Sequence, residues 1–82
     1  MKKILYFSAT WCGPCKNLKP IMESLSNQMT VQFVDIDSNP QLVAEYGVRS
    51  VPTLIFEKDG RPVKKESGVL TESQVKNIWN QL

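Results

Sequence analysis

The residues of this sequence best suited to chemistry are its two cysteines, Cys12 and Cys15. They follow an apolar run at residues 4–7, where the pattern predicts that a strand is followed by a helix. Because an α-helix has 3.6 residues per turn, this spacing puts both thiols on one side, near enough to form a small disulfide ring. Free backbone N–H groups and the helix dipole stabilise a thiolate at a helix N-terminus. The motif predicts a reversible dithiol couple with Cys12 as the nucleophile.

A zinc site and a purely structural disulfide are alternative interpretations of this pair. A structural zinc site needs two further ligands, and the chain contains no histidine, so only carboxylates or a second chain could complete it. A disulfide across so short a loop removes little entropy from the unfolded chain. Redox exchange therefore explains the motif best, and we expect neither a metal nor another cofactor.

Length and charge exclude several classes of protein. With 82 residues the chain has room for one domain, residues 1–82. A net charge of +2 is too small to indicate a nucleic-acid partner. Only four consecutive apolar residues follow Lys2 and Lys3, which is too few for a secretory or membrane-spanning segment. The lack of an export signal and the single Cys-x-x-Cys pair predict a cytoplasmic protein.

The period of the apolar residues predicts the order βαβαββα. We expect an α/β fold with a mixed four-stranded sheet in the order 2-1-3-4 and helices on both faces. The predicted strands are residues 4–7, 31–36, 53–56 and 63–66. The predicted helices run from Cys12 to Asn27 or Gln28, from Pro40 to Gly47, and from Thr71 to the end of the chain.

Several single residues predict how these helices begin, bend and end. Pro20 lacks the N–H that would bond to the carbonyl of residue 16, so we expect a bend there. Asn39 is the predicted cap of the second helix, and Gly47 its left-handed end. Thr71 with Gln74 predicts a capping box at the third helix.

Motifs spread along the chain carry a family resemblance. They are Trp11-Cys12-Gly13-Pro14-Cys15-Lys16 with Pro20, Asp35-Ile36-Asp37-x-Asn39-Pro40, Tyr46-Gly47-Val48-Arg49-Ser50-Val51-Pro52-Thr53, Asp59-Gly60 and Gly68. Together and in this order they resemble the thioredoxin family over essentially the whole chain. The resemblance implies a thioredoxin-like fold and a protein-disulfide reductase that accepts electrons from a thioredoxin reductase. We expect a monomer that acts on disulfide-containing proteins.

The resemblance also implies a substrate surface around Cys12. It implies a cis peptide bond before Pro52, with this proline against the disulfide, and a backbone at Val51 that pairs with an extended substrate segment. Trp11 is expected as an exposed apolar platform, with a partly buried core aromatic as the alternative. The implied docking residues are Trp11, Gly13, Pro14, Ile36, Ser50, Val51, Pro52, Gly68 and Val69.

The sequence departs from the family at two points. The family carries a strand and helix before the active-site strand, so this chain resembles a minimal version, and we expect Lys2 and Lys3 to protect an exposed sheet edge. Tyr6 stands where the family has a buried aspartate, and Phe33 where it has a lysine. A phenol with a pKa of about 10 is a poor base. We therefore expect Tyr6 to be a core residue with a bonded hydroxyl, and water or the departing thiolate to deprotonate Cys15.

Two other functions remain open from the sequence. A glutaredoxin-like enzyme would take electrons from glutathione, but only Arg49 or Lys16 could bind the carboxylates of that tripeptide. The Gly-Pro pair and Trp11 argue against it. The fold could also serve as a binding or scaffold subunit in which the thiols are incidental.

Overall fold

Strands and helices alternate along the computed structural model, which describes residues 1–82. No helix in it is both long and apolar enough to cross a membrane. The observed order confirms the predicted βαβαββα. The elements are β1 (Lys2–Ser8), α1 (Gly13–Leu25), β2 (Val31–Asp35), α2 (Pro40–Tyr46), β3 (Thr53–Lys58), β4 (Arg61–Ser67) and α3 (Glu72–Gln81).

The four strands form one mixed sheet in the order β2-β1-β3-β4, as predicted. β1 pairs in parallel with β2, with Ile4 opposite Val31, because α1 carries the chain back to the start of the sheet. β1 and β3 pair antiparallel, and a tight hairpin joins β3 to β4. Asp59 and Gly60 have φ values of 55° and 81° in this turn, the left-handed region that two-residue hairpins require.

The core lies on both faces of the sheet because successive strand residues point to opposite sides. Ile4 and Tyr6 of β1 face α1 and α3, whereas Leu5 and Phe7 face α2. The predicted arrangement of helices on both faces is therefore confirmed. The first face buries Ile4, Tyr6, Leu18, Met22, Leu25, Met29, Leu54, Phe56 and Val75, and the second buries Leu5, Phe7, Val34, Val48 and Ile55.

Helix α1 ends at Leu25, two or three residues before the predicted end. The helical bond from the Ser26 N–H to the Met22 carbonyl is followed by the Asn27 N–H, which donates to the Ser24 carbonyl at 3.3 Å. Bonds to the third preceding residue tighten the chain into a turn. The prediction was wrong here because Met29, which continues the apolar period, is buried from the loop. The helix continues through Pro20, and the bend there stays a prediction.

Two of the three predicted helix ends are confirmed. Gly47 ends α2 with φ at 63°, and Thr71 and Gln74 form both bonds of the capping box. Asn39 occupies the predicted N-cap position of α2, but its side chain makes no capping hydrogen bond, which corrects that part of the prediction. Its side-chain amide donates to the Asp35 carbonyl at 2.9 Å, so this group holds the turn after β2 instead of the helix start.

Lys2 and Lys3 do not protect a sheet edge, because β1 is a central strand. The ammonium of Lys2 donates to the Trp79 carbonyl at 3.0 Å, and that of Lys3 lies 3.7 Å from the Glu57 carboxylate. The expectation was wrong because the order 2-1-3-4, which was itself predicted, already places β1 between two other strands. The edges of the sheet are β2 and β4.

Candidate active site

Cys12 and Cys15 form a disulfide at the N-terminus of α1. Their Cα atoms are 5.3 Å apart, within the range that disulfides require. Cys12 is the N-cap residue, and its sulfur accepts the backbone N–H of Cys15 at 3.1 Å. In the reduced protein such a donor stabilises a thiolate at Cys12, which is the chemistry that the sequence predicted.

The turn between β1 and α1 places the cysteines at this position. The Cys12 N–H donates to the Ala9 carbonyl at 3.2 Å, which closes the turn between β1 and α1. Ala9 and both cysteines are buried together, and Ile36 and Val51 pack against them. Three segments that are distant in sequence therefore surround the disulfide.

The segment before β3 forms the opposite wall. The Val51–Pro52 peptide bond is cis, the isomer that the resemblance implies. Pro52 is buried, and its carbonyl accepts the N–H of Gly68 at 2.9 Å. Thr53 donates its hydroxyl to the Ser50 carbonyl at 2.7 Å and so holds the approach to this bond.

Trp11 is an exposed platform beside Cys12 and not a core aromatic. Its side chain is 65% exposed, and its indole N–H donates to the Asp37 carboxylate at 2.9 Å. Sequence reasoning did not assign this role to Asp37. The only sequence signal was the Asp-Ile-Asp segment of the family resemblance, since nothing local relates residues 11 and 37.

A first groove, the front groove, opens between Trp11 and the loop before β3. Its cavity measures about 300 Å³. Four of the nine implied docking residues line it, namely Trp11, Ile36, Ser50 and Val51. The other five, Gly13, Pro14, Pro52, Gly68 and Val69, lie outside its lining. The complete lining is Trp11, Ile36, Val43, Val48, Arg49, Ser50 and Val51.

Tyr6 is a core residue whose hydroxyl is bonded, as predicted. It is 1% exposed, and the hydroxyl donates to the Cys15 carbonyl at 2.9 Å. Burial raises the pKa of Tyr6, the negative charge of Glu23 raises it further, and a hydrogen bond with Ser8 opposes both. The Tyr6 phenol is therefore neutral at every pH at which an ordinary tyrosine is neutral.

A second groove, the α1–β2 groove, lies beside Cys15. Its cavity measures about 400 Å³ and includes the ring of Phe33, which meets Tyr6 edge-on at 5.6 Å between centroids. No pattern in the sequence indicated this groove, because its walls come from three different elements. Its lining is Tyr6, Ser8, Ala9, Thr10, Cys15, Lys16, Lys19, Phe33, Val34 and Asp35.

Comparison with known proteins gives a consistent result. The family model described as Thioredoxin matches residues 1–81. A thioredoxin of Staphylococcus epidermidis is 46% identical over 96% of this chain and 80% of its own length. A bifunctional thioredoxin reductase/thioredoxin of Mycobacterium leprae is 46% identical over 76% of this chain, which spans only 14% of that protein.

Solved structures agree with the sequence relatives. A mutant thioredoxin from Halobacterium salinarum superposes with a TM-score of 0.93 at 38% identity, over 98% of this chain and 73% of that chain. A thioredoxin of Fasciola hepatica superposes with a TM-score of 0.89 at 34% identity, over 98% of this chain and 79% of that chain.

Proposed function

This chain belongs to the thioredoxin family, and we propose that it uses Cys12 and Cys15 to reduce the disulfides of other proteins. Family membership makes it a dithiol protein-disulfide oxidoreductase. The observation that carries the mechanism is the bond from the Cys15 N–H to the Cys12 sulfur at 3.1 Å. It supports Cys12 as the sulfur whose negative charge the helix stabilises.

The reaction has two steps. The Cys12 thiolate attacks one sulfur of the substrate disulfide, a mixed disulfide forms, and the other substrate sulfur leaves as a thiolate. Cys15 then loses its proton and attacks the Cys12 sulfur, so that the Cys12–Cys15 bond forms and the second substrate sulfur leaves. Two electrons pass from the protein to the substrate, and each departing thiolate takes a proton from solvent.

Substrates dock, in this proposal, on the apolar surface around Cys12. The support is the exposure of Trp11, the burial of Cys12 at 4% exposure, and the front groove beside them. Because Cys12 is so little exposed, a substrate must approach closely, and an extended segment that pairs with the Val51 backbone achieves this. We assign the same role to Gly13, Pro14, Ile36, Ser50, Pro52, Gly68 and Val69.

Replacing Trp11 with alanine tests this surface. An exposed indole at the centre of a docking site contributes about 1–2 kcal/mol, so we expect KM for a protein disulfide to rise about fivefold or more with little change in kcat. Val63→Ala is the matched control, since Val63 is also apolar and 58% exposed but lies on β4 away from both grooves. Equal KM values for the two variants would show that Trp11 does not belong to the docking surface.

We propose a flavoprotein thioredoxin reductase as the electron donor. The support is the relative from Mycobacterium leprae, whose name joins a thioredoxin reductase with a thioredoxin. Turnover of insulin disulfides should therefore proceed with such a reductase, and should be at least about tenfold slower when glutathione is the only reductant. The reverse order would favour the glutaredoxin-like alternative.

The cellular setting follows from the same chemistry. We propose that the protein acts as one domain and as a monomer in the cytoplasm, where reducing conditions return the pair to its thiol form. The support is that both cysteines of the chain belong to the redox motif, so no third thiol or structural disulfide competes with it.

A further inference from the structure

Glu57 of β3 is a buried carboxylate that the proposed reaction does not use. It is 3% exposed and lines neither the front groove nor the α1–β2 groove. One of its oxygens accepts a hydrogen bond from the Tyr46 hydroxyl, and the other lies 3.7 Å from the ammonium of Lys3. Burying a carboxylate costs free energy that only well-placed partners offset. Tyr46, the closer partner, connects this charge to helix α2.

Tyr46 is the last residue of α2, so its bond to Glu57 holds the end of this helix against β3. The tyrosine ring packs against Phe7 of β1, with 5.9 Å between the ring centroids. The hydrogen bond to Glu57, burial, and the negative charges of Glu57 and Glu45 raise the pKa of Tyr46 to about 12. The phenol therefore keeps its proton, and the bond that it donates, throughout the neutral pH range.

Lys65 of β4 makes a second contact with the same end of α2. Its ammonium donates to the Gly47 carbonyl at 2.7 Å and to the Tyr46 carbonyl at 3.4 Å. The last carbonyls of a helix have no partner within the helix and form the negative end of its dipole, so a lysine is favourable there. Lys65 stands opposite Ile55, two residues before Glu57 along β3. Both contacts with α2 therefore come from one hairpin.

This end of α2 also forms one wall of the front groove. Val43 of α2 and Val48 beyond it both line the groove, and the Val48 N–H donates to the Val43 carbonyl at 3.0 Å. Three more lining residues follow directly along the chain, namely Arg49, Ser50 and Val51. The place of this wall therefore depends on what holds the end of α2.

Separate contacts hold the opposite wall of the front groove. Trp11 lies there, and its indole N–H is bonded to the carboxylate of Asp37 in the turn after β2. The width of the groove is therefore the distance between two walls that are fixed independently. A docking site that already has its binding shape avoids the free-energy cost of ordering it when a substrate arrives.

We propose that Glu57 and Lys65 are positioning residues for substrate docking, which hold the end of α2 and so keep its wall of the front groove in place. This inference rests on the proposed function. Both residues act through the end of α2 and not on the sulfur atoms. Their loss therefore weakens the docking of a protein substrate and leaves the two chemical steps as they are.

Tyr46→Phe removes the bond to Glu57 and keeps the aromatic ring. We expect KM for insulin disulfides to rise about threefold or more, with kcat within about twofold of the parent. A small aromatic disulfide has no peptide segment to lie along the groove, so its reduction rate should also stay within about twofold. Glu57→Gln is the matched control, because its amide oxygen still accepts the Tyr46 hydroxyl, and its KM should stay within about twofold of the parent value.

Lys65→Met tests the second contact at an exposed position. It removes the ammonium and keeps an unbranched side chain, so we expect KM for insulin to rise about threefold here as well. Lys64→Met is its matched control and should leave KM unchanged. Lys64 is the neighbouring residue of β4 but stands opposite Phe56, on the other face of the sheet.

Amide hydrogen exchange tests the hold on α2 without any substrate. The Val48 N–H should exchange about tenfold faster in Tyr46→Phe and in Lys65→Met than in the parent, because the end of α2 opens more often. The Ile36 N–H, which donates to the Ser8 carbonyl at 3.0 Å, is the internal control and should exchange as in the parent.

Three results would overturn the proposal. A KM equal to the parent value in either variant would refute the role of the residue it tests, and so would unchanged exchange at Val48. A loss of kcat, or of small-disulfide reduction, as large as the loss of kcat/KM for insulin would place the effect at the cysteines instead of the docking surface. Absence of insulin reduction by the parent would instead contradict the proposed function, and exchange at Val48 would still test the hold on α2.

Discussion

Cys12→Ser abolishes disulfide reduction, whereas Cys15→Ser leaves the protein covalently attached to its substrate. Serine keeps the shape of the side chain but removes the nucleophilic thiolate, so we expect Cys12→Ser to lose about three orders of magnitude in activity or more. Cys15→Ser still permits the first attack, but no internal thiol resolves the product. A stable mixed disulfide, seen as the added substrate mass under non-reducing conditions, should accumulate.

Stability measurements are the control for these two variants. The Cys12–Cys15 ring spans a sequence separation of three, so its effect on the unfolded chain is small, and both variants should fold. The double variant Cys12→Ser with Cys15→Ser separates enzyme from scaffold, because a binding role would survive without either thiol. Full insulin reduction by Cys12→Ser would contradict the proposed nucleophile, and a mixed disulfide through Cys15 would reverse the two roles.

Tyr6→Asp should destabilise the protein by about 4 kcal/mol or more, although the family carries an aspartate at this position. Truncating a buried aromatic side chain costs about 3–5 kcal/mol, and a carboxylate without partners adds the cost of burying a polar group. Tyr6 is 1% exposed in the core beneath α1, and its ring meets the partly exposed ring of Phe33 edge-on. Because small domains are stable by only about 5–15 kcal/mol, this loss is a large share of the total, and denaturant unfolding should show a much lower midpoint for the variant.

Tyr6→Phe is the matched control for that loss. It keeps the ring but removes the bond to the Cys15 carbonyl, so we expect a cost of about 1 kcal/mol. Burial favours the neutral phenol, and this stabilisation is complete below the ordinary pKa of about 10 and is lost as pH rises through the raised pKa of Tyr6. If Tyr6→Asp proved as stable as Tyr6→Phe, Tyr6 would not be the core residue described above.

The sequence by itself determined the features that depend on neighbouring residues. Two thiols three positions apart at a strand-to-helix change predict a dithiol couple wherever the helix lies. Gly47 and the Thr71–Gln74 capping box were predictable because each satisfies backbone groups within a few residues of itself. The continuous apolar run at residues 4–7 of β1 likewise predicted a buried strand.

Only the tertiary structure decided which distant groups meet. The Lys2 ammonium donates to the Trp79 carbonyl, 77 positions away in the sequence, because α3 packs on the face of the sheet that contains Ile4 and Val75. The bond from Trp11 to Asp37 joins residues 26 positions apart, and the α1–β2 groove is lined by residues of β1, α1 and β2, so both depend on how these elements pack together. Local hydrogen bonds and apolar periodicity are properties of adjacent residues, whereas a cavity and a long-range bond are properties of packed elements, and no short stretch of sequence contains them.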